Sequence, residues 1–352
     1  MKILLYTYDI MKIGGIETSF YNLSKYLESK GHNVGVRYSV IAPMQLKRYK
    51  EAGIDIQTQQ PETCDILMIG SVWRRPTNIK SRLVVQQVHA DWSDKFWGKK
   101  IDGIKLLRSA DKECDVFAPV SSSAGGFVAK HTDKPIFIMN NIAPVKTEIK
   151  HKKNKKLVIA AFTRMSTEKG LKNYESLRDR LIELKIDADL RVYTNGDAPD
   201  GWRACEPVPD IRTELPSIDF VASLADTESF GYTIAEANSC GIPVIIKRSN
   251  STGEFFDSQS NIIVDDIAEI DTKSLRRKIS VDYRLRKKTE KSIDSTMKEL
   301  EKLVSKKCIM KVMRSYIDLQ VGNTRYPGEL FTVSKERALE LLKNENKIVE
   351  IA

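Results

Sequence analysis

Glu228-Ser229-Phe230-Gly231-Tyr232-Thr233-Ile234-Ala235-Glu236, continued by Ala237-Asn238-Ser239-Cys240-Gly241-Ile242-Pro243 and Val244-Ile245-Ile246, decides the reading of this chain. The stretch runs from loop to helix to strand. Glu228 sits in a turn rich in Ser and Gly, and residues 233–240 have the composition of a helix. Gly241 suits the helix stop, and Pro243 keeps the chain out of helix before an apolar strand. Two carboxylates eight residues apart, one in the turn and one about a turn into the helix, can face one crevice whose third wall is the helix's amide-rich N-terminus. Such a crevice suits a polyhydroxylated ligand carrying phosphate: carboxylates accept hydroxyl protons, and free amides hold phosphate oxygens.

Working outward, 352 residues suffice for two domains with separate cores. A hydrophobic content of 41% is that of an ordinary globular protein. No apolar run is long enough to span a membrane, and Met1-Lys2-Ile3-Leu4-Leu5 enters a strand-like run without a signal peptide's layout, so the expected location is the cytoplasm. Cys64, Cys114, Cys205, Cys240 and Cys308 are scattered, form no CxxC pair and read as reduced thiols, with neither a metal site nor a disulfide framework expected. The charge is uneven. Residues 273–314 hold fifteen Lys/Arg against five Asp/Glu, a surplus of ten that equals the formal net charge of the whole chain. Such a stretch is a solvated helix face or a surface that gathers a polyanion: acidic lipid headgroups, a phosphate-containing polymer, or nucleic acid. Peripheral attachment at a membrane belongs to the same expectation.

Residues 2–8 form an apolar run, followed by a loop with Gly14-Gly15 and a segment with Ile16, Phe20, Leu23 and Leu27 on one face. That is strand, glycine loop, amphipathic helix. Further strands are expected at 34–36, 66–70, 83–89 and 116–120, a spacing that indicates a parallel sheet wound in βα units. His89 falls at the carboxyl end of its strand, where open α/β sheets bind ligands. Trp92, Phe96 and Trp97 follow it, as sugar-stacking platforms or as core. Residues 144–156, Pro-started and rich in lysine, read as the hinge. A second unit opens with the apolar run 157–162, then Thr163-Arg164-Met165-Ser166-Thr167-Glu168-Lys169-Gly170, where an arginine and a lysine five residues apart can grip one pyrophosphate. Strands follow at 190–193, 218–223 and 261–264. Residues 273–314 read as helices, with Ile293, Met297, Leu300 and Val304 as an apolar stripe.

The acid pair, with Phe230-Gly231 between and Ala237 after, resembles the acid-x7-acid signature of retaining glycosyltransferases of the GT-B architecture, in particular the family 4 group that uses nucleotide sugars. Arg164, Lys169 and Gly170 are similar to that family's R-x4-K-G element, Gly14-Gly15-Ile16-Glu17 to its GG-x-E element, residues 249–254 to its donor-closing loop, and His89 to its histidine beside the transferred sugar. The resemblance implies an α/β protein of two Rossmann-like doubly wound domains facing across a cleft: residues 1–148 on the acceptor side, 149–272 binding the nucleotide sugar, 273–315 a basic helical crossover, and 316–352 a tail. It implies that Arg164 and Lys169 neutralise the donor diphosphate with the Gly14 and Gly15 amides. Glu228 and the Phe230-Gly231-Tyr232 backbone would hold the sugar beside Thr233, Glu236 the ribose hydroxyls, and His89 the sugar and acceptor site. No metal and no cofactor is expected; the donor is a nucleoside diphosphate sugar, a UDP-sugar in the first instance.

The acceptor is expected to be acidic, either a cell-envelope lipid or polymer or, because the tail is similar to small segments of bacteriophage proteins, modified DNA bases. From another class, the chain is read as a non-catalytic sugar-nucleotide-binding protein. Donor transfer discriminates the two.

Overall fold

The computed structural model describes the chain except residues 12–13, 72–75, 94–101, 167–168, 250, 277–278, 280, 282–283, 313–315, 319–322 and 344–348. The apolar runs become parallel strands buried on both faces, as in sheets covered by helices on either side. The first unit contains β1 (Lys2–Ile10), β2 (Asn33–Ile41), β3 (Asp55–Thr58), β4 (Glu62–Ile69), β5 (Ile79–Val88) and β6 (Val116–Pro119). Their spatial order is β3-β2-β1-β4-β5-β6. Helices α1 (Gly15–Ser29), α2 (Pro43–Glu51), α3 (Gly103–Glu113) and α4 (Ser122–Ala129) lie between them in sequence. The short strand β3 had no sequence signal, and residues 136–139 run beside β6 through Phe137 N to Phe117 O and Met139 N to Pro119 O, with one bridge at Ile136.

The second unit repeats the plan with β7 (Leu157–Phe162), α5 (Leu171–Glu183), β8 (Ala188–Tyr193), β9 (Arg203–Cys205), β10 (Phe220–Ser223), α6 (Tyr232–Ser239), β11 (Val244–Lys247), α7 (Thr252–Phe255) and β12 (Ile262–Val264), followed by α8 (Thr272–Arg276). Its strand order is β12-β11-β10-β7-β8-β9. In both sheets the winding direction reverses beside the first strand, between β1 and β4 and between β7 and β10. Ligands of doubly wound sheets bind outside the carboxyl ends of the strands at such reversals. The loops that emerge there are those of Gly14-Gly15, of Arg164 to Lys169, and of Glu228.

Helix α9 (Leu285–Val304) crosses back to the first unit. Its stripe of Ile293, Met297, Leu300 and Val304 is buried in one core with Phe20, Leu23 and Leu27 of α1. Thr289, Ser292 and Thr296 satisfy backbone groups of residues 138–143: Ala143 N donates to Thr289 Oγ1 at 3.1 Å, and Ser292 Oγ and Thr296 Oγ1 donate to Ile138 O at 2.9 and 2.8 Å.

The basic stretch does not stay helical to residue 314. Lys307–Val312 is strand β13, the centre of a three-stranded antiparallel sheet ordered β16-β13-β17. The rest of the unit is β14 (Tyr316–Asp318), β15 (Asn323–Arg325), β16 (Leu330–Ser334), α10 (Lys335–Leu342) and β17 (Val349–Ile351). Met310, Phe331, Ala338, Leu341 and Val349 form its own small core. It docks on the amino ends of the first sheet's strands, away from the carboxyl-end loops. Arg82, near the start of β5, donates to Lys307 O, Val304 O and Asp65 at 3.0, 2.8 and 3.0 Å.

Candidate functional site

Helix α6 starts at Gly231, which adopts a left-handed backbone (φ +83°) as its N-cap. A Cβ there would stand 2.9 Å from Ile234 Cδ1 and 3.2 Å from Phe256 Cε2, so any other residue would meet both strain and a filled core. The Glu228 carboxylate folds over this turn. Its Oε1 accepts from the amides of Ser229, Phe230 and Gly231 at 3.0, 3.4 and 3.2 Å. Those amides therefore hold Glu228, where the sequence had assigned the Phe230 and Gly231 backbone to the sugar. The first-turn amides of Tyr232 and Thr233 have no partner within the helix. Phe230 itself is buried edge-on against Phe255 and Tyr232, so its ring belongs to the core.

The second oxygen of Glu228 faces Lys169 Nζ at 3.7 Å. This ion pair joins the loop after β7 to the turn after β10, adjacent strands of the sheet. The close approach depends on Gly170, the left-handed N-cap of α5 (φ +78°), where a Cβ would lie 2.2 Å from Leu224 O. Asn173 Nδ2 donates to Leu224 O at 2.8 Å and Asp226 Oδ1 at 3.2 Å, pinning the two loops together. Arg164 is exposed on the same loop. The Ser166 and Ser249 hydroxyls are buried beside this junction without a hydrogen-bond partner among the described residues, and Ser251 Oγ donates to Glu228 O.

Glu236 lies one turn further along α6 and keeps part of its surface open. Burial of the carboxyl, with the Asp210 charge nearby, pushes its pKa up to about 7, against the pull of Arg212 and Arg48. Asp210 is the partner of Arg212, with contacts of 2.6 to 3.0 Å. Burial works to raise the Asp210 carboxyl, but these bonds outweigh it and hold it below the usual range. The sequence reading missed this pair; Asp210 caps a single 3-10 turn, Ile211–Thr213, that holds Arg212 and is too short to leave a periodic signature. Arg48 belongs to the first unit, so charges from both units converge on Glu236.

His89 follows β5, with Phe20 of α1 edge-on at 6.2 Å. Burial lowers its pKa to about 4, so the ring is neutral. Its Nε2 is 3.2 Å from Gln87 Oε1, which assigns the proton to that nitrogen and leaves Nδ1 a buried acceptor with no donor among the described residues. Trp92, read as a stacking platform or core, is core: it is 2% exposed and packs edge-on with Phe117. Phe96 and Trp97 lie outside the described residues.

Gly14 is the extended N-cap of α1, and Gly15, the first helical residue, is exposed with open space around its Cα. The Glu17 carboxyl curls back on this end, so that a Cβ on Gly14 would meet Glu17 Oε2 at 2.5 Å. Burial raises the Glu17 carboxyl while hydrogen bonds from its own amide and that of Gly14 work against the rise. The Gly14 amide thus has an internal carboxyl partner, as the amides of Phe230 and Gly231 do.

Side chains of the two units also meet. Glu254, after β11, accepts from Ser122 N at 3.0 and 3.2 Å and so caps α4 of the opposite unit. The Tyr232 hydroxyl is buried within reach of Ser19 and Asn22 of α1, though without a hydrogen bond of normal geometry. Ser19 Oγ in turn donates to Asn141 Oδ1 at 2.7 Å. The acid-bearing helix therefore faces the N-terminal half of α1. Among the described residues no His, Cys, Asp and Glu group is arranged as a metal ion's ligands would be.

No protein-family model matches the chain. No curated protein sequence matches it either. Solved structures do. HepE of Anabaena, in complex with UDP-glucose, superposes with a TM-score of 0.64 at 13% identity, covering 87% of this chain and 99% of that one. A glycosyltransferase of Rickettsia africae superposes with 0.55 at 15% identity over 87% and 96%. WaaG, a glycosyltransferase involved in lipopolysaccharide biosynthesis, gives 0.57 at 12% identity over 86% and 98%. With two six-stranded parallel sheets of reversed winding, helices on both faces and a crossover helix returning to the first unit, this chain has the GT-B fold of those proteins.

Proposed function

We propose that the protein is a retaining glycosyltransferase that moves a sugar from a nucleoside diphosphate sugar, a UDP-sugar in the first instance, to a hydroxyl of an acidic cell-envelope lipid or polymer. The Lys169–Glu228 pair at the start of α6 supports this most directly, because it sets a cation and an acid at one helix N-terminus where two carboxyl-end loops meet. Lys169 and Arg164 neutralise the diphosphate as it departs. Glu228 accepts from sugar hydroxyls, and Glu236 accepts from the ribose. His89 offers Nδ1 to the sugar as an acceptor. The acceptor hydroxyl attacks the anomeric carbon on the face that the diphosphate leaves: the new C–O bond forms, the sugar–phosphate bond breaks, and the hydroxyl proton passes to the leaving phosphate oxygen. No side-chain nucleophile takes part, and protein cations do the work that a divalent ion does elsewhere.

The fold neighbours named above include one solved with UDP-glucose, which agrees with this donor class. A thermal-shift screen across UDP-, GDP-, ADP- and CDP-sugars tests the donor, because a ligand that binds only the folded state raises its melting temperature. A rise with none of them, together with no turnover, would leave a protein that keeps the fold without the chemistry.

A further inference from the structure

Helices α2, α1 and α9 lie side by side on one face of the first sheet. Tyr49 of α2 packs edge-on against Tyr21 of α1 and donates to Glu17 O at 2.7 Å, and Tyr26 of α1 donates to Asp294 of α9 at 2.7 Å. The sequence showed only the charge of α9; the fold adds its neighbours. Exposed on α9 are Lys287, Lys288, Lys291, Lys298 and Lys302. Lys25 and Lys30 project from the C-terminal half and end of α1, and Lys47 and Lys50 from α2. Exposed acids on the three helices are Glu51 and Glu301 alone among the described residues. Some of this charge is answered internally, since Lys30 pairs with Asp294, Lys47 with Glu51 and Lys302 with Glu299. Lys287, Lys291 and Lys298 have no ion-pair partner among the described residues and follow one another along the outer side of α9.

At the cleft end of the same layer the surface turns apolar. Met11, Val40 and Met44 are 49%, 42% and 55% exposed. They are neighbours: Val40 stands opposite Asp9 in the β1–β2 register, Ala42 N donates to Ile10 O at 3.1 Å just before Met11, and Met44 opens the first turn of α2. A patch of unbranched and branched apolar side chains at the lip of the acceptor unit, backed by a lysine-rich face, has the layout of a surface that rests on charged headgroups and sinks its corner into the hydrocarbon boundary. Duplex nucleic acid would use the lysines and leave the apolar corner in water.

We propose that the α2–α1–α9 face docks on a bilayer carrying anionic lipid, with Met11, Val40 and Met44 inserted beside the cleft, so that the acceptor is an amphiphile presented at that surface. The assignment of the acceptor rests on the transferase reading; the docking surface does not.

The test is co-flotation of the full chain with vesicles of phosphatidylcholine alone and of phosphatidylcholine with phosphatidylglycerol, at low and high salt. The chain should float with the anionic vesicles at low salt and with neither at high salt. Joint replacement Lys287→Glu, Lys291→Glu and Lys298→Glu should cut partitioning by about tenfold or more. Met44→Asp should weaken it further at unchanged salt dependence. No flotation with anionic vesicles overturns the proposal, and so does binding to duplex DNA as tight as to vesicles and indifferent to Met44→Asp. Donor hydrolysis in the absence of vesicles is read in parallel. Flotation without donor turnover supports the surface and removes the transferase reading, whereas turnover without flotation does the reverse.

Discussion

Replacing Glu236 by glutamine should stabilise the protein and weaken its donor binding at once. The carboxyl's pKa rises from the ordinary 4.5 to about 7, chiefly through burial. At 1.36 kcal/mol per pH unit, that displacement bounds the effect at roughly 3 kcal/mol, and solvent at the partly open edge of the group reduces it to roughly 1–2 kcal/mol. The sign follows from the order of the two titrations. Below pH 4.5 the group is protonated folded or unfolded, and its contribution is fully present. Between 4.5 and about 7 the unfolded chain gives up the proton and the folded chain keeps it, so stability falls as pH rises; above 7 the loss is complete. Glutamine does not titrate. Melting temperatures of wild type and Glu236→Gln, measured from pH 4.5 to 8.5, should therefore diverge, the variant gaining about 2–4 °C for each kcal/mol at the alkaline end. Affinity for the preferred nucleotide sugar should fall about tenfold, through loss of the charged acceptor. A melting-temperature gap that does not change with pH, or a wild type that is the more stable protein at pH 8, would refute the argument.

Lys169→Ala should cut transfer by about a hundredfold or more at constant fold, as removal of one preorganised charge at a leaving group does, and a kcat within twofold of wild type would remove the assigned role. Transfer should persist in excess chelator; strict dependence on added Mn²⁺ would contradict the part given to Arg164 and Lys169. Gly170→Ala should destabilise by more than the ~1 kcal/mol of left-handed strain, because its Cβ would run into the Leu224 carbonyl, and a urea midpoint within error of wild type would show that the loop has room. Arg82→Ala should expose the 304–307 junction to limited proteolysis at a cost of about 2 kcal/mol, since it removes the side-chain donor to two carbonyls and to Asp65 Oδ1; an unchanged digestion pattern would show the C-terminal sheet is held otherwise.

The architecture was legible because its signals are local. Glycine and proline bracket the helix at 232–239, the apolar runs of buried parallel strands stand out, and Ile293, Met297, Leu300 and Val304 recur at helical spacing before entering the first core. What escaped depends on tertiary partners. Strand β13 was hidden inside a basic stretch, since only the short run Cys308-Ile309-Met310 separates its two lysines and the partners that bury Met310, namely Phe331, Ala338, Leu341 and Val349, come from later in the chain. The charges around Glu236 come from a turn and from the opposite unit, which no spacing rule connects. That Glu17 and Glu228 would bend back onto the very amides assigned to a ligand could not be read from residue order, because it is a matter of rotamer. Trp92 is a case of the opposite kind: both readings were open, and only the packing against Phe117 decides between them.

Helix α9 has one further consequence. Near its start, Arg286 donates to Ala143 O at 2.6 Å and Lys288 to the Glu254 carbonyl, whereas its final residue's carbonyl is held by Arg82. A rod of 20 residues, about 30 Å long, thus has one end anchored at the interface of the two lobes and the other at the base of the C-terminal sheet. Any rocking of one lobe against the other must pivot, slide or strain that rod, which mechanically couples the mouth of the cleft to the C-terminal sheet.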